Sequence, residues 1–166
     1  MSARRLCRDE GELLLPLAHG FAFKPYRHYR TFSAPVQETV LASELRATLS
    51  HPDGLVYLGG EDGARAAVVA RRLAWDSDFF GVPMARIEYV LGDDEAARGA
   101  VLLASLQALR DEGVLHVSAR IDAADLATTL LLERGGFRLM DGLVTYAMRP
   151  GRRAPNAVRG VGTVRP

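Results

Sequence analysis

The chain has few of the residues on which several common chemistries depend. Lys24 is the only lysine among 166 residues, which removes the usual candidates for a Schiff-base or general-base lysine. Cys7 is the only cysteine, so the sequence offers neither an internal disulfide nor a cysteine-based structural zinc site. A single cysteine is typical of a reducing compartment. We therefore expect a cytoplasmic protein without a metal site.

Long apolar runs and an excess of charge of one sign are also missing. The run LLLPLA at 13–18 is interrupted by Pro16 and is shorter than the hydrophobic region of a signal peptide. Nothing approaches the roughly 20 consecutive apolar residues of a membrane helix. The 21 basic residues are balanced by 20 acidic ones, for a net charge of +1. Without a strong overall field, neither nucleic acid nor an anionic membrane is an expected partner.

The apolar content is sufficient for one folded domain. With 48% hydrophobic and 25% charged residues, a chain of 166 residues builds one core and is too short for two ordinary ones. We place this domain at 1–150. The segment 151–166 is rich in arginine, proline and glycine and has hardly any apolar periodicity. It is predicted to be a linker or a disordered tail.

Hydrophobic periodicity predicts the order of the elements. Apolar residues at helical spacing predict helices over 35–50, 93–113 and 122–134. Strand-like runs occupy 55–58, 64–73, 84–91 and 114–121, and the Asp141-Gly142 turn predicts a hairpin over 137–148. This order indicates an α/β (α+β) domain with a mixed, mostly antiparallel sheet flanked by helices. Strict alternation in 84–91 would place Ala85, Ile87, Tyr89 and Leu91 on one face of the sheet.

Two stretches, read with this element order, resemble a known family. LLLERGGF at 130–137 is similar to a helix-to-strand junction of the GNAT superfamily of N-acetyltransferases. RLAWDSDFFGVPMARI at 72–87 resembles a subgroup near dTDP-fucosamine acetyltransferase, in which it belongs to an N-terminal GNAT-like half. The resemblance implies transfer of an acetyl group from acetyl-coenzyme A (acetyl-CoA) to a small-molecule amine. The amine would be that of an amino sugar nucleotide.

The resemblance also implies where acetyl-CoA would bind. The backbone of Tyr89, Val90 and Leu91 would line the pantetheine arm, and Arg98 and Gly99 are remnants of the diphosphate loop. That loop is shorter than in the family by two or three residues, and three acidic residues at 93–95 stand where the diphosphate would lie. The same acids are also ordinary capping residues for a helix that binds no phosphate.

The implied catalytic groups are Glu88 as the base and Tyr146 as a substitute proton donor. The family's donor tyrosine falls at Leu132, so it is missing here. The favoured alternative is that Glu88 forms an ion pair with Arg86 or Arg71 on a solvated sheet face. His116 on the next strand could titrate near neutrality, although a single strand histidine is more often packed or solvated.

The cluster WDSDFFG at 75–81 is interpreted as a loop between two strands. Trp75 and Asp76 are candidates for binding the acceptor, whereas Phe79 and Phe80 would close the end of the sheet and Gly81 would adopt a positive φ. Arg27 and Tyr29 of FKPYRHYR are further candidates, because in the related subgroup an aromatic and arginine-rich stretch faces the substrate. They would equally well coat the surface.

Three functions therefore remain open. The first is an active N-acetyltransferase. The second is a noncatalytic GNAT-like half of a two-domain acetyltransferase, because VGTVRP at 161–166 is similar to the opening strand of such a domain. The third is a ligand-binding module that uses the aromatic and arginine-rich loop. A second acetyltransferase domain or a homodimer would be the protein partner.

Overall fold

A five-stranded sheet forms the centre of the molecule, in a computed structural model that describes residues 3–60 and 66–142. The strand order along the sheet is the order along the chain. The first four strands pair antiparallel, and the fifth runs parallel to the fourth. The predicted mixed, mostly antiparallel sheet is confirmed. The strands are β1 (Ala3–Arg5), β2 (Gly54–Gly59), β3 (Ala66–Arg72), β4 (Met84–Gly92) and β5 (His116–Ala119).

Helices cover both faces of the sheet. On one face lie a 3-10 helix and the first two α-helices, and on the other lie the fourth and fifth. The predicted helices are confirmed, but the last one begins later than expected because Asp125, not Asp122, caps it by accepting from the Thr128 N–H at 3.0 Å. The helices are the 3-10 helix (Arg8–Leu14), α1 (Leu15–Gly20), α2 (Ala34–Ser50), α3 (Ala74–Phe80), α4 (Glu95–Asp111) and α5 (Leu126–Arg134).

Strand β3 is the middle of the core and contributes to both faces. Val68 and Ala70 pack in the cluster with α4 and α5, whereas Ala67 and Val69 pack in the cluster with α1 and α2. All four side chains are completely buried. Burial of one valine side chain contributes about 1.5–3 kcal/mol, so this strand is a major source of stability. No helix in the described parts of the chain is both long enough and apolar enough to cross a membrane.

A β-bulge interrupts the pairing of β3 with β4. Val69 pairs with Tyr89 and Ala70 pairs with Ile87, so Glu88 is an extra residue without a partner on β3. The alternation predicted for this strand is therefore wrong beyond the bulge. Ile87 packs with the cluster on the α4 side, whereas Tyr89 and Leu91 face the α1 and α2 side. One inserted residue shifts every later side chain to the opposite face.

The WDSDFFG segment is a short helix, α3, and not the predicted irregular loop. Gly81 ends this helix with φ of 66°, so its expected positive φ is confirmed. The expected closure of the sheet end by Phe79 and Phe80 is wrong, because these rings are 68% and 61% exposed. Ser77 fixes the helix instead: its hydroxyl donates to the Leu73 carbonyl at 2.7 Å and accepts from the Met84 N–H at 2.9 Å.

The segment that follows α5 also differs from expectation. Residues 137–142 form neither a strand nor a turn, and Leu139 and Met140 are strongly exposed. A strand requires a pairing partner, and no described strand pairs with this segment. The predicted partner strand 143–148 and the predicted tail 151–166 lie outside the described residues.

Candidate functional site

Strands β4 and β5 separate halfway along β4. Their parallel pairing runs from Met84 and His116 to Ile87 and Ala119, with a last hydrogen bond of 3.3 Å from the Arg120 N–H to the Ile87 carbonyl. Beyond this point β4 continues through 88–92 without a described strand on its β5 side. Backbone donors and acceptors on such an edge can bind an extended ligand. The predicted groove residues Tyr89, Val90 and Leu91 all lie on this edge.

Glu88, the bulge residue, stands where the two strands separate. Its Oε1 accepts from the Nε and Nη2 of Arg86 at 2.9 and 2.8 Å, and its side chain is 21% exposed. The structure thus confirms the ion pair with Arg86 that the sequence left as an alternative. A guanidinium thus already engages one of the two oxygens of the carboxylate that is proposed to accept a proton from the substrate.

Tyr89 and Glu44 meet beside the bulge. The Tyr89 hydroxyl donates to Oε2 of Glu44, a residue of α2. Burial, followed by this hydrogen bond and the negative charges of Glu44 and Glu88, raises the pKa of Tyr89 far above its usual range. The hydroxyl therefore stays protonated at physiological pH. Two carboxylates and a phenol hydroxyl thus converge on the α2 face, next to the free edge of β4.

Glu44 was not among the residues singled out from the sequence. It lies mid-helix beside the buried residues Leu41 and Leu45, and acidic residues in such a position usually face solvent. The sequence signal for Glu44 was limited to its position at the edge of the apolar face of α2. Its relation to Tyr89, which is 45 residues away, depends on the folded sheet.

The aromatic and arginine-rich loop is bound to the end of β5. Arg27 donates to both oxygens of Asp122, from Nε at 2.6 Å and from Nη2 at 2.9 Å. His28 Nε2 lies 3.0 Å from the same carboxylate, and the Arg27 guanidinium stacks 4.9 Å from the Phe23 ring centre. The hydrogen bonds from Arg27 hold the pKa of Asp122 well below its usual range, and Asp122 in turn raises the pKa of Arg27.

Tyr26 carries backbone strain in this loop. Its φ of 61° is unusual for a residue with a side chain. The ring is held by stacking on Phe32 at 5.2 Å and by an edge contact with Tyr29 at 5.5 Å. Such strain is concentrated at ligand-binding sites in many proteins. The substrate contacts predicted for Arg27 and Tyr29 remain predictions.

The three acids at the start of α4, residues 93–95, each have a local role. Asp94 is the N-cap, since its Oδ1 accepts from the Ala96 N–H at 3.0 Å, which confirms the predicted capping. Glu95 pairs with Arg134 of α5 at 2.7 Å. The Asp93 carboxylate lies against Gly20, where a Cβ would come within 3.0 Å of Oδ1.

Arg98 and Gly99 lie within α4 and face α5. Arg98 Nη1 donates to the Thr128 hydroxyl at 3.2 Å, and its buried Nε has no partner in the parts of the chain that the structure describes. A Cβ on Gly99 would lie 3.3 Å from a methyl group of Leu131, so glycine permits close packing of the helices. Beside them opens a cleft of 710 Å³. It is lined by Asp94, Glu95, Ala96, Gly99, Ala100, Leu103, Leu131, Arg134 and Gly135.

The fold does not bring all the predicted site residues together. Trp75 and Asp76 precede β4, whereas Arg98 and Gly99 follow it. The nine residues of β4 span about 30 Å at ~3.3 Å per residue, so these pairs lie near opposite ends of the strand. Tyr146 lies outside the described residues. Within 3–60 and 66–142, no group of three or more His, Cys, Asp or Glu side chains is placed to hold a metal ion.

Comparison with known proteins identifies the fold. No protein-family model and no curated protein matches the sequence. The five-stranded mixed sheet with its helices, however, has the fold of the GNAT acetyltransferases. Identities between 10% and 15% to the three solved structures described next establish similarity of fold.

Two of these structures are aminoglycoside acetyltransferases. One is meta-AAC0020 from an uncultured soil metagenomic sample, in complex with sisomicin: TM-score 0.62, 15% identity, 89% of this chain and 95% of that chain. The other is AAC(6')-Iy in complex with CoA, with a TM-score of 0.59 and 11% sequence identity over 89% of this chain and 94% of that chain. The third structure is a ribosomal-protein-alanine N-acetyltransferase from Brucella melitensis biovar Abortus 2308. Its TM-score is 0.62, with 10% sequence identity over 90% of this chain and 99% of that chain.

Proposed function

We propose that this protein is an N-acetyltransferase that transfers the acetyl group of acetyl-CoA to a small-molecule amine. The observation that carries the proposal is the opening between β4 and β5, with Glu44, Glu88 and Tyr89 beside it. The opening offers backbone groups to an extended donor, and the carboxylates offer negative charge to a basic acceptor. Structures with this fold include one that binds CoA, which supports the choice of donor.

The donor would lie along the free edge of β4. The pantetheine arm would pair with the backbone of 88–92, as a peptide strand pairs with a sheet edge. The diphosphate and adenosine would extend past Gly92 toward the start of α4 and the cleft between α4 and α5. Arg98 and Arg134 are the cations near this end of the path. This assignment includes the predicted cofactor residues Tyr89, Val90, Leu91, Arg98 and Gly99.

The reaction requires a free amine beside the thioester. The amine nitrogen attacks the thioester carbonyl carbon, so a C–N bond forms and the C–S bond breaks. An acceptor that binds as an ammonium ion first releases one proton to solvent and becomes the free amine. The attacking nitrogen then loses a second proton, and the departing thiolate takes up one. We assign removal of the proton from the attacking nitrogen to Glu88, once a bound amine replaces Arg86 as its partner. Tyr146 is proposed as the proton donor to the thiolate.

The amine of an amino sugar nucleotide is the acceptor we propose. The support is the sequence of 72–87, together with the exposed parallel stack of Trp75 on Phe79 at 5.2 Å, a surface suited to an apolar sugar face or a nucleobase. Asp76 and Arg27 would supply polar contacts. Trp75 lies near the start of β4, whereas the proposed reaction takes place beside Glu88, midway along the strand. An acceptor that contacts both would have to extend along β4.

The donor can be tested by binding. Acetyl-CoA at about 100 times Kd should stabilise the protein by roughly 2.7 kcal/mol in thermal denaturation. Ala100→Trp, which places a large ring in the α4–α5 cleft, should weaken binding. Trp75→Ala, at the other end of β4, is the matched control and should leave donor affinity unchanged. Absence of any thermal shift at millimolar acetyl-CoA would contradict the proposal.

A noncatalytic role is favoured by one observation. The start of α4 is already capped by Asp94, and the nearby Arg134 is paired with Glu95, so the groups that would meet a diphosphate are occupied. In that case the domain would complete a substrate site in a second acetyltransferase domain or in a homodimer. Binding of an amine without binding of acetyl-CoA would support this alternative.

A further inference from the structure

We infer that Glu44 is the residue that holds the cationic nitrogen of the acceptor. The inference rests on the proposed acetyl transfer and deepens it, because it assigns the acceptor site to the α2 face of the bulge. It also specifies the class of acceptor as a positively charged amine, to be distinguished from neutral polyols of similar shape.

The two carboxylates at the opening differ in their partners. Glu88 is engaged by Arg86 through two contacts at 2.8 and 2.9 Å. Glu44 takes part in none of the ion pairs among the described residues. Its hydrogen-bond donor is the neutral hydroxyl of Tyr89. Within the described ranges no cationic side chain therefore pairs with Glu44, and a ligand ammonium can do so.

One oxygen of Glu44 is positioned and the other is accessible. Oε2 accepts from Tyr89, which fixes the orientation of the carboxylate. Oε1 has no hydrogen-bond partner in the described parts of the chain, and it is not among their fully buried unpaired atoms. Among the described residues this oxygen therefore keeps its capacity to accept a hydrogen bond from a ligand. Charge-assisted hydrogen bonds to such an oxygen are among the stronger polar contacts in proteins.

The surroundings of Glu44 also suit a cation. Phe21 meets the Tyr89 ring edge-on at 5.9 Å, so two aromatic rings lie beside the Glu44 carboxylate that Tyr89 orients. Aromatic rings attract ammonium groups through their electron-rich faces. A neutral hydroxyl would gain neither the ion pair nor the attraction to the rings.

Two amine probes and one neutral probe test the inference. Binding of sisomicin and of n-butylamine is measured by calorimetry on the full chain, with trehalose as the neutral sugar. The wild type should bind an amine, and Glu44→Gln should weaken that binding about tenfold or more. Glu38→Gln, on the same helix but paired with His19 at 2.8 Å, is the matched control and should bind like the wild type. Failure of both amines to bind the wild type at about 10 mM overturns the inference.

Kinetics separate ligand binding from a purely structural role. Glu44→Gln should raise KM for the amine about tenfold and leave KM for acetyl-CoA unchanged, and Glu44→Asp should restore part of the loss. Tyr89→Phe keeps the negative charge of Glu44 but removes the hydrogen bond that orients its carboxylate, so it should raise KM for the amine only a few-fold. Equal amine KM values for wild type and Glu44→Gln overturn the inference alone. Absence of acetyl-CoA binding by the wild type contradicts the proposed function instead.

Discussion

Arg27 and Asp122, which are 95 residues apart in the sequence, form a two-point ion pair that joins the loop before α2 to the segment after β5. Phe21, at the start of the same loop, packs against Tyr89 of β4, whereas Asp122 follows β5. The segment from Phe21 to Arg27 therefore reaches from one separated strand to the other. The ion pair fixes the distance between the two sides of the candidate site.

Asp122→Asn should destabilise the protein at neutral pH. The folded pKa of Asp122 is depressed well below the unfolded value near 3.8, mainly by Arg27, so its contribution is fully present above the unfolded pKa and is lost as pH falls from there through the folded pKa. We expect a loss of about 1–2 kcal/mol at pH 7, the usual size for charge-assisted hydrogen bonds, and a difference near pH 3 that is smaller but still present. Urea denaturation at both pH values measures it, and Asp78→Asn, at an exposed position of α3, serves as control. Equal stability of Asp122→Asn and wild type at pH 7 would contradict the role of the pair.

Tyr57→Phe should remove part of the alkaline sensitivity of the fold. Burial, and then the charge of Glu112, raise the pKa of Tyr57 from 10.0 to about 12. A raised pKa stabilises the fold below pH 10, and this contribution is lost as pH rises toward 12. Over that window the wild type should lose up to roughly 3 kcal/mol more than the variant. Chemical denaturation from pH 9 to 12 compares the two, and parallel curves would count against this role.

Asp94→Asn should strengthen acetyl-CoA binding without unfolding α4. Asparagine is as good an N-cap as aspartate, so stability should change by less than about 0.5 kcal/mol. Removal of one negative charge near the proposed diphosphate path should lower Kd several-fold at low salt. Asp111→Asn, at the far end of the same helix, should leave Kd unchanged. Weaker binding by Asp94→Asn would indicate that the diphosphate lies elsewhere.

Phe80→Ser should have little effect on stability, although phenylalanines usually belong to cores. The ring is 61% exposed and contacts Phe79 at 4.9 Å between ring centres. We expect a cost of about 1 kcal/mol or less, the typical value of one aromatic pair. Leu102→Ala, in the buried face of α4, should cost about 2–5 kcal/mol in the same denaturation experiment. A large loss for Phe80→Ser would show that α3 is more deeply packed than its exposure indicates.

The elements that depend on local pattern were predictable from the sequence. The helix Ala34–Ser50 has its buried residues Leu41, Leu45 and Leu49 at regular helical spacing, and the strand Gly54–Gly59 is a short apolar run after a turn. These patterns reflect burial against one partner surface, so the period alone identifies them. The antiparallel pairing of β2 with β3 follows from the short connection between them.

The candidate site was less predictable because its contacts join distant parts of the chain. The sequence singled out Glu88 and Tyr89, but Glu44 and Asp122 acquire their roles through partners 45 and 95 residues away. The aromatic rings of α3 misled the interpretation, since burial depends on which face of a short helix meets the sheet. Ser77, a small polar residue, holds that inner face.

The bulge requires a residue at position 88, but it does not require that this residue be glutamate. Deletion of Glu88 would restore regular alternation and turn Tyr89, Val90 and Leu91 to the wrong faces, so the position itself is indispensable to the core. Because Glu88 has no partner on β3, however, cross-strand pairing places no demand on its side chain. Position 88 can therefore change its chemistry during evolution while the sheet keeps its architecture.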